Sequence, residues 1–158
     1  MVDNGLDFVP YMRLALLEAK KAMGLDEVPV GAVIISNSGE VISKGHNLCI
    51  GLNDPTAHAE ILAIRSACDK VSNYRLTGCI LITTLEPCIM CMGALVHARI
   101  QGLVFGARDP KAGAVVSRMD FFSQITWLNH RFWIKEGVSS IECSNVLKLF
   151  FKSKRGLI

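Results

Sequence analysis

No apolar run in this 158-residue sequence approaches the roughly 20 residues that a helix needs to span a bilayer. A membrane-spanning helix is therefore not expected. The opening residues, Met1 to Asp7, hold Asp3 and Asp7 and lack a basic stretch followed by an apolar one, so they do not read as a secretory signal. Low-complexity tracts, internal repeats and linker-like segments are missing as well. With 51% hydrophobic and 20% charged residues, the chain is expected to fold as one globular domain over residues 1–158, in the cytoplasm. Six cysteines in such a compartment should remain thiols. Net charge is only +3, which would argue against a nucleic-acid partner if it were evenly spread.

What is present is concentrated in two short stretches, His58-Ala59-Glu60 and Glu86-Pro87-Cys88-Ile89-Met90-Cys91. One imidazole and two thiolates suit a tetrahedral Zn²⁺ that keeps its fourth position for water, and a nearby carboxylate could move that water's protons. Cys88 and Cys91, three apart, fall on one helix face, where both sulfurs can reach one ion. His58 and Glu60 are two apart, which in mid-helix turns them about 200° from each other. They can share a site only within a helix's first turn. Asp54-Pro55-Thr56 and Glu86-Pro87 supply capping residues and prolines suited to a first helical position, so two helix N-termini should face the metal and favour thiolates there. Each half has a bland alternative: Cys-x-x-Cys can be a redox pair, and a lone histidine an ordinary core or surface residue. Joined, the two halves point to His58, Cys88 and Cys91 as metal ligands. A structural zinc would take four protein ligands, and neither the other histidines (His46, His97, His130) nor the other cysteines (Cys49, Cys68, Cys79, Cys143) stand at ligand-like spacing. Glu60, free of the metal, is then the candidate proton carrier.

The rest of the chain supplies a scaffold. Phe8 to Met23 has helical apolar spacing, with Arg13, Glu18, Lys20 and Lys21 left for water. Val30 to Ile35 and Val41 to Asn47 read as strands joined through Asn37-Ser38-Gly39. Asn47 stands at the strand's far end, where its amide can meet a ligand or simply begin the next loop. A helix from His58 to Asp69, a buried strand from Cys79 to Thr84, a helix from Cys88 to about Ala98 and a strand from Gly102 to Gly106 follow, and this order implies a parallel, right-handed crossover. Residues 114–131 carry Met119, Phe121, Phe122 and Trp127 without a clear period. Phe132 to Gly137 is expected as a last strand, before a final helix capped by Ser139 or Ser140. The resulting class is α/β, a mixed sheet with helices on both faces.

Charge is distributed unevenly. Arg99, Arg108, Lys111 and Arg118 face a single acid, Asp109, across their stretch, and Lys148, Lys152, Lys154 and Arg155 close the chain without one. Such regions could meet a phosphate backbone, although a basic helix end also suits the helix dipole. The loop from Ala107 to Gly113 leaves a strand's C-terminal end, where open α/β sheets place their ligands.

These motifs resemble the zinc-dependent cytidine and deoxycytidylate deaminase superfamily, whose signature is His-x-Glu followed by Pro-Cys-x-x-Cys. Val28-Pro29-Val30-Gly31-Ala32-Val33, Asp54-Pro55-Thr56-Ala57-His58-Ala59-Glu60, Asn73-Tyr74-Arg75-Leu76, Thr84-Leu85-Glu86-Pro87-Cys88 and Val104-Phe105-Gly106-Ala107-Arg108-Asp109 are similar to its bacterial tRNA-directed adenosine deaminase branch. The resemblance implies a three-layer fold with a mixed five-stranded sheet, one Zn²⁺ per chain, and a homodimer that hydrolyses the wobble adenosine of a tRNA anticodon stem-loop to inosine. It also implies that Asn47 contacts the flipped base and that Asp109, Lys111 and Asn129 lie along the anticodon loop. The rivals are a deaminase of free nucleobases or nucleotides, of guanine or cytosine type, and a non-catalytic zinc-stabilised RNA-binding module.

Overall fold

Two apolar runs rich in β-branched residues set the architecture. Gly31–Ser36 (β1) and Cys79–Leu85 (β3) are buried along nearly their whole length, as uninterrupted runs of this kind must be. In the computed structural model, which describes Asp3 and residues 5–156, they lie antiparallel inside a five-stranded sheet. Val41–His46 (β2) folds back on β1 as the expected hairpin. Gly102–Ala107 (β4) and Trp133–Glu136 (β5) extend the other side in parallel, giving the order β2-β1-β3-β4-β5.

Strand alternation divides the core between two helical layers. Val33, Ile35, Ile80, Ile82 and Val104 face Val9–Gly24 (α1) and Ser140–Lys154 (α5), which contribute Met12, Ala15 and Cys143. Ala32, Ile34, Leu81, Leu103 and Phe105 face Ala59–Val71 (α2) and Ile89–His97 (α3), which contribute Ala59, Ala63, Met92 and Leu95. This is the three-layer α/β arrangement expected. Alanines on the inner face of α2 let that helix sit close to β2. A Cβ on Gly45 would stand 2.6 Å from the Ala59 carbonyl oxygen.

Several local expectations need correction. Glu18 does not stay in water: it is 5% exposed, with Oε2 2.7 Å from His46 Nδ1 and Oε1 2.9 Å from Lys21 Nζ. Pro55 and Pro87 are not first helical residues, because His58 and Cys88 take the N-cap positions in extended conformation, with ψ of 153° and 173°. Asp54 instead closes a turn by accepting from the Thr56 N–H at 2.8 Å. Ser139 is the N-cap of α5 but its hydroxyl makes no capping bond, since its φ of 52° puts the backbone in the left-handed region. Within 114–131 the chain forms one short helix, Phe121–Gln124 (α4), whose N-cap Asp120 accepts from the Ser123 N–H. Phe121 and Phe132 are core residues, whereas Trp127 is 82% exposed. Among the described residues no helix is long and apolar enough to cross a membrane.

Candidate active site

Helices α2 and α3 start side by side, and their N-cap side chains are not used for capping. Neither His58 nor Cys88 forms a side-chain N-cap hydrogen bond. They turn toward each other instead: His58 Nδ1 lies 3.6 Å from both Cys88 Sγ and Cys91 Sγ. All three ligand atoms fall within 4.8 Å of one another. Zinc bonds of about 2.3 Å to sulfur and about 2.05 Å to nitrogen, set at a tetrahedral angle, place the two donors about 3.6 Å apart. Both nitrogen–sulfur distances therefore match what a tetrahedral zinc requires. Both helix N-termini add positive potential where the thiolates gather.

Taken alone, these side chains already favour a thiolate. A bond with Cys91 and the neighbouring His58, working against burial, bring Cys88 down to about 4. The Cys91 thiol is pushed far up by that same bond and by burial, so the pair retains one proton for a metal to displace. The bond to Cys88 likewise raises His58. Glu60, the second residue of α2, is 4% exposed, and burial pushes its carboxyl up to about 7. A carboxyl near neutrality can both take and return a proton.

The site opens into a cavity of about 430 Å³ lined by His58, Glu60, Cys88, Asn47 and Asp109 among others. Asn47 is 8% exposed, and its Oδ1 accepts from the Cys49 thiol at 3.1 Å. Cys91 sits behind Cys88, fully buried. Asp109 lines the wall, while its Oδ1 accepts from the Lys111 N–H at 3.0 Å and so shapes its own turn. Lys111 lies just outside the lining, with Nζ 5.9 Å from the centre of the Phe151 ring. Asn129 is not brought to this cavity. Its carbonyl accepts from Arg99 Nη1 at 3.2 Å, beyond the far end of α3.

Residues 9–107 match the family model of the cytidine and deoxycytidylate deaminase zinc-binding region. The chain belongs to that family. It is 49% identical over 144 residues to the tRNA-specific adenosine deaminase of Haemophilus influenzae, covering 91% of this chain and 83% of that one. It is also 49% identical over 149 residues to the tRNA-specific adenosine deaminase of Aquifex aeolicus, covering 94% and 96%. A solved structure from studies of A-to-I editing by tRNA:A34 deaminases superposes with a TM-score of 0.83 at 47% identity, over 87% of this chain and 99% of that one. As a member of the deaminase family the protein is a zinc-dependent hydrolase, and His58, Cys88 and Cys91 are arranged to hold its ion.

Several residues of this deaminase's cavity escaped the sequence reading. Glu27 lines it at 1% exposure, with Oε1 accepting from the Gly51 N–H at 2.8 Å. Phe150 and Lys154 bring α5 to the same wall, where Lys154 pairs with Asp26. For Glu27 the available signal was an acid placed directly ahead of the apolar run that becomes a buried strand. For Phe150 there was none, because nothing in a helical period says which cavity it borders. Two basic residues of the 99–118 stretch have partners within the protein: Arg108 is engaged by Glu136, at 2.7 and 2.9 Å, and Arg99 by the Asn129 carbonyl.

Proposed function

We propose that this protein hydrolyses the wobble adenosine of a tRNA anticodon to inosine, with release of ammonia. The observation that carries the reading is the convergence of His58, Cys88 and Cys91 at the floor of a cavity that also holds buried Glu60. Close likeness to chains named tRNA-specific adenosine deaminase supports the choice of substrate.

When bound, zinc supplies an activated water, acidified from its bulk value toward neutrality. Glu60 takes a proton from the attacking water and delivers it to the ring nitrogen next to the reacting carbon. The same carboxyl then shuttles the second proton to the departing amine, so that water and adenosine become inosine and ammonia. Burial suits Glu60 to both tasks by holding it near neutral pKa. Asn47, steadied by Cys49, presents its amide to the base. The cavity admits one nucleotide extruded from its stack, and Asp109 and Lys111 accompany the flanking strand. Asn129, remote from this cavity, would meet RNA only if the anticodon loop reaches past α3 or a second copy carries it there. A homodimer agrees with the exposure of Ile50, Leu52 and Ile89, at 71%, 53% and 58%.

Incubation with unmodified tRNA, followed by sequencing, should reveal adenosine-to-inosine conversion at the wobble position. Parallel reactions with free guanine, cytosine and adenosine should give little ammonia; preferential turnover of a free base would sink the polynucleotide reading. Glu60→Ala should keep its zinc and bind an anticodon stem-loop but form no inosine, with kcat down at least about a hundredfold. Unchanged turnover in that variant would refute the proton-shuttle role.

A further inference from the structure

Glu86 borders the cavity yet takes no part in the chemistry above. It is 2% exposed, and its carboxylate is fully occupied by the protein itself. Oε1 accepts from the backbone N–H groups of Val115 at 3.0 Å, Val116 at 2.7 Å and Ser117 at 2.9 Å. Oε2 accepts from the Asp109 N–H at 2.9 Å and from the Ser117 hydroxyl. These donors come from both arms of the loop that follows β4, and the acceptor lies on the segment that joins β3 to the cysteine helix α3. The backbone repeats the connection: the Glu86 N–H donates to the Ala107 carbonyl at 2.8 Å, and the Ala114 N–H to the Pro87 carbonyl at 2.9 Å. At Gly113 the loop passes so close that a Cβ would stand 2.3 Å from the Glu86 carboxyl carbon.

A buried carboxylate is costly unless its lone pairs are met, and four backbone donors converge on it only when the loop adopts one shape. The same loop lines the cavity through Asp109 and Ala112. The geometry points to Glu86 as a positioning residue: this carboxylate fixes the Asp109 loop against the start of the cysteine helix, and so sets where the RNA strand lies when its target base enters. The inference rests on the reading that this loop accompanies the RNA.

Glu86→Gln places an NH₂ group where the loop offers mainly donors. In the zinc-loaded variant, amide hydrogen exchange at 109 and 115–117 should rise at least about tenfold while β3 and β4 keep their protection. KM for an anticodon stem-loop should rise about tenfold, with kcat within about twofold and one zinc per chain retained. A loosened loop with unchanged KM would reduce Glu86 to a stabilising residue and overturn the proposal. A fall in kcat alone, or loss of zinc, would overturn it too, by showing that the carboxylate acts on the metal ligands. Should Glu86→Gln not fold, Ser117→Ala removes only the hydroxyl donor and should raise KM about threefold at constant kcat; no change would count against the proposal. Were the wild-type protein inactive on the stem-loop, the functional reading would fail by itself. Stem-loop affinity and the exchange pattern would then still decide whether Glu86 holds the loop where RNA binds.

Discussion

Single side chains at this site have environments that assign them different tasks. Glu60 and Glu86 are both buried carboxyls bordering one cavity. At Glu60 burial outweighs its own N–H, the neighbouring His58 and the Cys91 thiol, so the carboxyl is raised; Glu86 overcomes the same burial through bonds from Ser117, Val116 and Asp109 and is held low. The first has the near-neutral carboxyl that the proposed proton shuttle calls for, and the second is kept ionised to hold a loop. Glu18 is a third case. Burial opposes its charge, but the bonds to Lys21 and His46 prevail and keep it below its ordinary 4.5. A carboxyl depressed in the folded state contributes stability that is full above the unfolded value and is lost as pH falls through the folded one. Glu18→Gln should therefore cost about 1–2 kcal/mol at pH 7. The deficit should narrow as pH drops below 4.5, where the wild-type carboxyl also takes up its proton. Urea denaturation of both proteins at neutral and acid pH measures it, and a pH-independent gap would show that the charge is not what matters.

At the scale of elements, the metal site depends on how closely α2 lies on β2. The Ser43 hydroxyl donates to the Ala63 carbonyl at 2.7 Å, and Gly45 leaves no room for a side chain beside the Ala59 carbonyl. Because His58 and Glu60 stand at the start of this helix, any shift of α2 moves both of them. Gly45→Ala should destabilise the fold by about 1–3 kcal/mol. It should also lower kcat more than a distant substitution of equal thermal cost, because productive geometry tolerates little displacement. A variant with reduced melting temperature but full kcat would separate the site from the packing beneath it.

Across the whole molecule, a zinc held by His58, Cys88 and Cys91 would join elements distant in sequence, since these residues lie at the starts of two helices that flank β3. An ion that binds only the folded chain stabilises it by mass action, about 2.7 kcal/mol at a hundredfold excess over Kd. For a domain of this length that corresponds to a rise in Tm of about 5–10 °C. Chelator-stripped protein should melt lower by that amount in calorimetry and recover on adding zinc. Equal melting temperatures with and without the metal would show that the apo chain is already held in its final form. The proposed homodimer belongs to this scale too: sedimentation should return twice the monomer mass.

The sequence by itself picked out the three residues arranged to hold a metal and the proposed proton carrier, because His58, Glu60, Cys88 and Cys91 announce themselves by spacing, and spacing survives in one dimension. It also pointed to the central strands, since short apolar runs rich in β-branched residues, such as Val33-Ile34-Ile35 and Ile80-Leu81-Ile82, suit strands buried on both faces. Only the tertiary structure decided what surrounds the site. Glu27, Glu86, and the α5 pair Phe150 and Lys154 reach the cavity from three separate segments, and Asn129 is carried away from it. A lone glutamate or phenylalanine carries no period and no partner in sequence; its role comes from donors and walls that the folded chain brings up beside it.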